Sequence, residues 1–596
     1  MTRIPLRPLA RILDARGKGE NPDRIERENL RQRNAEIEAT TRRRAEGRLV
    51  ILAGFFVCAF LVIGARMGLM ATSEPMEPRA YTAGNSIVAQ RADIVDRHGR
   101  VLATNLSTFA LYAQPPHMID KEGAAKKLAA IFPDLDEAEL IEDFTGDRKF
   151  LWIKKKVSPE QRQAVHDIGD PGLLFGPREM RLYPKGRLAA HVLGGATFGR
   201  EGVSSAEVIG VAGIEKALDD TLRDPARKGQ PLELALDVAV QSTMREVLMG
   251  GMSLMNAKGA AGVMMDIHTG EVVSMVSLPD FDPNDRPRPL TEGDAGDSPL
   301  FNRAVQGVYE LGSTFKIFTA AQAMELGLVS ANTMVDADAP MTWGRHRIRE
   351  FQNKNYGPLL SVTDVIVKSS NVGTAKMALQ IGPKRQREFL DSFGVFDPSP
   401  IELIEAPGAQ PLVPSNWSEI VTITASYGHG FAASPLHLAT AYASLLNGGT
   451  KVTPTLLKRD YAAPGPRLVR EDVSRASTQM LREVVVRGTA SLGRVPGYEV
   501  GGKTGTANKP LTSGAGYHQD KNINTFASVF PASDPQYVLV VSLDEASDNS
   551  GSEPRRTAGW TAVPVAAEVI RRTAPLLGVR PIIEPFDPSK VTLASQ

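Results

Sequence analysis

A chain of 596 residues is too long for one ordinary core, and its apolar and charged fractions are those of a folded protein, not a disordered one. A net charge of +1 gives no global field for nucleic acid, and no basic, aromatic-interleaved run outside the N-terminus argues for it locally. The single cysteine, Cys58, excludes an intrachain disulfide framework.

The first 48 residues hold thirteen Lys or Arg among glutamates and few apolar residues, a composition that predicts a mobile or weakly helical tail with little fixed structure. The run "LVILAGFFVCAFLVIGA" follows, Leu49 to Ala65, seventeen residues without a charge and extendable past Arg66 to Met70. That is just long enough to span a bilayer as a helix. An uncleaved anchor over 49–70 is favoured over a signal peptide, because the preceding segment is long and no small-x-small cleavage site follows cleanly. From Met67 to Gln90 the only basic residue is Arg79, so the positive-inside rule keeps the 1–48 tail cytoplasmic and everything past Met70 outside the cytoplasm. In a Gram-negative cell that compartment is the periplasm. Cys58, inside the apolar run, reads as lipid-facing or packed.

Residues 71–235 form a mixed α+β region with strand-like runs "FALYAQ" and "FLWIKKKV". A helix there is opened by "SPEQ", where Ser158 caps, Pro159 fits the first turn and Gln161 completes a capping box. Nothing in this region gathers His, Cys or carboxylates at metal-ligand spacing, so neither a metal nor another cofactor is expected and the region reads as structural or partner-binding. A second domain, 236–580, begins near "LELALDVAVQ" and is followed by a tail, 581–596. "AAGVMMDIHTGEVVSMVS" predicts two strands joined at His268-Thr269-Gly270. Helices follow over Ser313–Leu326 with Gly327 as a stop, in "SVTDVIVK" and "VGTAKMALQIG", and in "SPLHLATAYASLLNGG". "EVGGKTGTA", "NTFASVF" and "QYVLVVSLDEA" are late β-rich runs that predict an antiparallel sheet built from both ends of the domain.

Three short motifs punctuate this domain. Ser313 precedes Lys316 by three positions, which on a helix puts both on one face. Ser369-Ser370-Asn371 lies in a turn between two helices, and Lys503-Thr504-Gly505-Thr506 lies on a glycine-lined strand. Each alone has a plain structural reading, as a solvated helix face, a helix cap or a bulge. In this order and context they meet the needs of acyl transfer. A serine hydroxyl requires an adjacent base, and Lys316 serves if burial and a neighbouring cation such as Lys503 lower its pKa. Ser369 is placed to relay a proton to a leaving amine, and Asn371 to orient Lys316 and hold the substrate amide. Lys503 with the Thr504 and Thr506 hydroxyls offers donors to a free carboxylate, and a strand bearing Gly505 lets an extended peptide pair along it.

The triple resembles the motif set of penicillin-binding proteins and serine β-lactamases. The resemblance runs from the anchor to about residue 575 and is to class B penicillin-binding proteins, membrane-anchored peptidoglycan D,D-transpeptidases. "RADIVDRHGRVLATN", "RLYPKGRLAAHVLG" and "GVAGIEKALD" are similar to boxes of that family's non-catalytic pedestal or dimerisation-like module. "FNRAVQGVYELGSTFK" and "SYGHGFAASPLHLATAYASLLNGGT" resemble the lead-in to its nucleophile and a helix behind its site. The resemblance implies an α+β fold in which a single transmembrane helix precedes an extended pedestal and a transpeptidase domain with an antiparallel sheet flanked by helices. It implies attack on a D-Ala-D-Ala stem peptide, transfer to an amine of a neighbouring stem, acylation by β-lactams at Ser313, and an oxyanion hole from the backbone N–H groups of Ser313 and Thr506. "GGKTGTANK", the basic tail and "VIVKSSNVGTAK" look most like the division-specific septal type, penicillin-binding protein 3. That type implies partnership with a polytopic glycan polymerase of the shape, elongation, division and sporulation family and with other divisome proteins. An elongation-specific class B enzyme and an inactive divisome scaffold are the alternatives. Leu311 stands where the family often has proline, and Ala92 where it usually has glycine.

Overall fold

The computed structural model describes residues 9–72, 91–201, 206–511 and 516–582. The first eight residues of the basic tail and most of the 581–596 tail lie outside them. The chain divides into two compact units, one of Met1–Arg79 with Glu142–Phe150 and one of Ala80–Ile141 with Leu151–Gln596.

In the first unit a helix α1 runs over Pro22–Thr72, 51 residues through the basic segment and the apolar run without a break. The expectation of little fixed structure in the tail therefore gives way to helix, because its Arg, Glu, Gln and Ala are all strong helix formers. The large apolar side chains of the run stand exposed, Ile51 at 75 %, Phe55 at 68 % and Phe60 at 69 %. Among the described residues no helix is long and apolar enough to cross a membrane.

The second unit begins with a sheet in which β1 (Val101–Ala113) is paired antiparallel to both β2 (Leu151–Val157) and β3 (Leu173–Leu182). Between β2 and β3 runs α2 (Pro159–His166), and its capping box is present as predicted, with the Ser158 side chain accepting from the Gln161 N–H and the Gln161 side chain from the Ser158 N–H. The three pedestal boxes converge on one buried carboxylate. Glu215 takes Arg91 at 2.6 Å and Arg181 at 2.7 Å, while Arg91 also reaches Asp219 at 2.7 Å and Arg181 reaches Asn105 at 3.1 Å. Removing one partner from so buried a network leaves an uncompensated charge, which costs about 3–5 kcal/mol.

The larger part of this unit is a five-stranded antiparallel sheet. Strand β4 (Gly259–Asp266) and β5 (Val272–Leu278) form the hairpin predicted around His268, and β6 (Gly501–Pro510), β7 (Tyr517–Phe530) and β8 (Tyr537–Asp544) return from the far end of the domain. Their order is β6-β7-β8-β4-β5, so the first and last segments of the domain share one sheet and β6 is an edge. One face is covered by α3 (Val238–Leu254) and α9 (Ala562–Thr573). Between the hairpin and β6 come the helices α4 (Lys316–Glu325), α5 (Val362–Lys368), α6 (Asn371–Ile381), α7 (Pro435–Leu446) and α8 (Glu471–Arg487). Helix α7 packs against β4 and β8. Its Tyr442 lies fully buried, edge-to-face with Phe318 of α4 at 5.6 Å, and Phe318 meets Phe393 in the same way at 5.3 Å. Such aromatic pairs add about 0.5–1.5 kcal/mol each beyond the area they bury, and here they fix α4, the helix that carries Lys316, against the sheet.

Candidate active site

The expected helix over Ser313–Leu326 begins one turn later. Gly312–Phe315 is a 3₁₀ turn that runs into α4 at Lys316, and Gly327, at φ +68°, stops it. In a 3₁₀ turn residues three apart eclipse, so Ser313 and Lys316 still project to the same side. The turn is held from several directions. Gly312 N–H donates to Gly428 O at 3.2 Å, Tyr309 and Ala433 exchange backbone hydrogen bonds at 3.0 Å, and the Tyr442 hydroxyl donates to Thr314 O at 2.6 Å. Leu311 is only 2 % exposed, so the residue that replaces proline is fixed by packing into the core, while its carbonyl accepts from the Thr314 hydroxyl at 3.0 Å.

Two backbone approaches leave no room for side chains here. A methyl on Gly428, which has φ +78°, would lie 2.0 Å from the Gly312 carbonyl oxygen. One on Gly505 would lie 2.2 Å from the Leu311 oxygen. Glycine at these positions lets the Ser313 turn press directly against edge strand β6.

Between α5 and α6 the chain turns in two residues. Ser369 ends α5 in the left-handed region, at φ 61° and ψ 44°, and Ser370 caps α6 by accepting from Gly373 N–H. A non-glycine residue in that region costs about 1–3 kcal/mol and persists only where its surroundings over-determine it. The surroundings are two lysines. The Lys316 ammonium donates to Ser369 O at 2.5 Å, to Ser369 Oγ at 3.1 Å and to Asn371 Oδ1 at 2.7 Å, and Lys503 from β6 donates to the same Oγ at 2.9 Å. Both lysines are fully buried. Burial brings Lys316 down to about 7, against a smaller upward pull from Glu350. Burial, followed by repulsion from Lys316, holds Lys503 well below the ordinary lysine range.

Lys316, Ser369, Asn371 and Lys503 thus form one hydrogen-bonded cluster. Ser313 is half-buried beside it, and among the described residues its hydroxyl makes no hydrogen bond to Lys316. On β6 the side chains alternate, so Lys503 faces the cluster while Thr504 and Thr506 share the opposite direction. The Thr504 hydroxyl meets that of Thr489 at 2.8 Å, and the Thr506 hydroxyl accepts from the Ala558 N–H at 3.0 Å, which leaves its own proton to donate. Gly312 adjoins Thr506, a methyl on the glycine falling 3.3 Å from the threonine's carbonyl oxygen, so the backbones of Ser313 and Thr506 are neighbours.

Sequence reasoning did not single out four participants. Thr489 and Ala558 reach the site only through the fold, Tyr442 looks like any core aromatic in an apolar helix, and Glu350 lies in an irregular loop that carries no motif. Three residues before Ser313, Glu310 receives hydrogen bonds from His429 at 2.9 Å, Gly430 N–H at 2.8 Å and the Tyr517 hydroxyl at 3.0 Å.

Residues 260–570 match the family described as the penicillin binding protein transpeptidase domain, and residues 86–230 match the penicillin-binding protein dimerisation domain. The chain is 34% identical over 544 residues to the probable peptidoglycan D,D-transpeptidase FtsI of Caulobacter vibrioides, with 89% of each chain covered. The chain belongs to the penicillin-binding proteins. Within that family it is of class B and of the FtsI type. The class B likeness extends to the peptidoglycan D,D-transpeptidase FtsI of Escherichia coli, 26% identical over 528 residues and covering 84% of this chain and 87% of the relative. Among solved structures, penicillin-binding protein 3 of Mycobacterium tuberculosis complexed with aztreonam superposes with a TM-score of 0.62 at 25% identity, over 83% of this chain and 98% of that one. The two matched domains correspond to the pedestal and transpeptidase regions of this penicillin-binding protein, mixed α+β throughout.

Proposed function

We propose that the protein is a septal peptidoglycan D,D-transpeptidase that cross-links stem peptides through a serine acyl-enzyme at Ser313 and is acylated there by β-lactams. The observation that carries this reading is the convergence of two buried lysines, Lys316 and Lys503, on the single hydroxyl of Ser369.

Ser313 Oγ attacks the carbonyl of the penultimate D-Ala of a stem ending in D-Ala-D-Ala, and its proton passes to the neutral amine of Lys316. The oxyanion that forms is held by the backbone N–H groups of Ser313 and Thr506, which sit on neighbouring backbones. Ser369 Oγ already accepts from both lysines, so its own proton points outward and is free for the leaving amine. As the C–N bond breaks, that proton goes to the departing D-Ala, and a lysine resupplies it. The hydroxyls of Thr504 and Thr506 hold the terminal carboxylate, the charge of Lys503 acts on it from the other face of the strand, and Gly505 lets the peptide lie along β6. An amine of a neighbouring stem then attacks the ester and gives up its proton along the same relay, and Ser313 is released.

The amine of Lys316 accepts a proton only when it is not already an ammonium. With its pKa near 7, acylation by a penicillin rises with pH through about 7 and falls as the solution is made more acid. Stopped-flow acylation of the full chain in detergent measures this; a rate unchanged between mildly acid and mildly alkaline pH would exclude Lys316 as the base.

The exposed apolar run of α1, with thirteen basic residues before it, supports a single bilayer-spanning anchor with a cytoplasmic N-terminus and a periplasmic catalytic domain. The pedestal and anchor are the surfaces we assign to a polytopic glycan polymerase and other divisome proteins. A fluorescent fusion in dividing cells is expected to concentrate at the septum. Even distribution along the wall during division would overturn the septal assignment and leave the acyl-transfer chemistry standing.

A further inference from the structure

Glu350 lies just past a two-stranded ribbon, Met341–Trp343 paired with His346–Ile348, and outside all three motifs. It is 3 % exposed, yet among the described residues its carboxylate meets no cation directly; its oxygens are taken by the start of α6. Oε1 accepts from the Ser370 hydroxyl at 2.6 Å and from Val372 N–H at 3.2 Å, and Oε2 accepts from Asn371 N–H at 2.7 Å. The residue before it acts on the same asparagine, since Arg349 O accepts from Asn371 Nδ2 at 2.9 Å. With Nδ2 committed outward, Oδ1 can only face inward, where it receives the Lys316 ammonium. Two successive loop residues therefore hold the backbone and the amide of Asn371. The loop keeps this shape although Gln352 and Asn353 that follow both sit in the left-handed region, at φ 55° and φ 54°.

We infer that Glu350 is a positioning residue for acyl transfer: its carboxylate fixes the start of α6 so that Asn371 aims its carbonyl oxygen at the Lys316 amine. The inference rests on the reading of Lys316 as the base. A buried carboxylate at a helix N-terminus is held by the helix dipole as well as by its hydrogen bonds. The titratable groups facing it are Lys316 from α4 and Tyr356 from the loop beyond it, with Lys368 of α5 over the Tyr356 ring. Tyr356 is held above the usual tyrosine range, by burial first and by Glu350 second. Lys316 feels the same charge in the opposite sense, since a carboxylate favours an ammonium.

The test is the second-order rate of acylation by a fluorescent penicillin, measured from acid to alkaline pH on the full chain in detergent, for wild type, Glu350→Gln and Glu350→Asp. In Glu350→Gln the amide turns a donor toward Asn371 N–H and carries no charge. The alkaline plateau is expected to fall about ten- to a hundredfold, the scale of a misplaced reacting group, and the acid limb to move to lower pH. A purely structural cap would lower the plateau and leave the limb where it was, so a folded Glu350→Gln protein with an unmoved limb overturns the inference. If that variant does not fold, Glu350→Asp decides: the charge stays but the carboxylate is drawn back, so the limb holds and the plateau drops about threefold or more. A wild-type plateau in Glu350→Asp overturns the inference. Failure of wild type to be labelled at Ser313 would sink the acyl-enzyme reading itself, a separate outcome.

Discussion

Replacing Ser313 by alanine is expected to abolish covalent labelling by a fluorescent penicillin, lowering acylation by about a millionfold, the scale seen when a hydrolase loses its nucleophile. The reason lies in what remains. Lys316, Lys503 and Ser369 keep their mutual hydrogen bonds, because none of them uses the Ser313 hydroxyl. The 3₁₀ turn keeps its supports too, since Tyr442, Gly428 and Ala433 hold backbone atoms only. The variant should therefore melt close to wild type, within about 0.5 kcal/mol of its stability, while showing no fluorescent band after denaturing electrophoresis. A band that persists would move the nucleophile elsewhere, and Ser369 would be the first alternative to test.

Lys316→Met carries the second largest effect. Methionine matches the lysine stem in length and suits a fully buried site, but it can neither take a proton nor donate to Asn371. Acylation is expected to fall about a thousand- to ten-thousandfold, the upper part of the range for general-base catalysis. The residual rate should also lose the inflection near pH 7 that Lys316 imposes. A stopped-flow rate within tenfold of wild type would show that another group accepts the proton, and Lys503, whose amine burial also disfavours as an ammonium, would be that group.

The sequence and the structure agree wherever the information is local or periodic. The hairpin at His268, the capping box at Ser158 and the stop at Gly327 are each written in a few adjacent residues, and each is found where those residues lie. The three motifs are local as well, and the fold brings Lys316, Ser369, Asn371 and Lys503 from them to one place. What escaped was long-range. Glu350 stands twenty positions before Ser370 in a loop with no period, and only the folded chain aims its carboxylate at α6. Tyr442 resembles its apolar neighbours until its hydroxyl is seen to reach Thr314. Helix α4 starts one turn past Ser313, a shift the sequence does not reveal because a Ser-x-x-Lys spacing fits 3₁₀ and α geometry alike. Leu311 stands where the family often has proline, and the core restrains it in place of a proline ring.

The contacts of Gly428 with Gly312 and of Gly505 with Leu311 bear on how this enzyme can change under antibiotic pressure. Three segments far apart in the chain meet backbone to backbone behind the nucleophile, with no space for a single methyl at Gly428 or Gly505. Substitution at either would disturb the native substrate and the drug together, because both need the same turn. The side chains of His429 and Tyr517, which gather on Glu310, take no part in this backbone contact, and their replacement is expected to leave it in place.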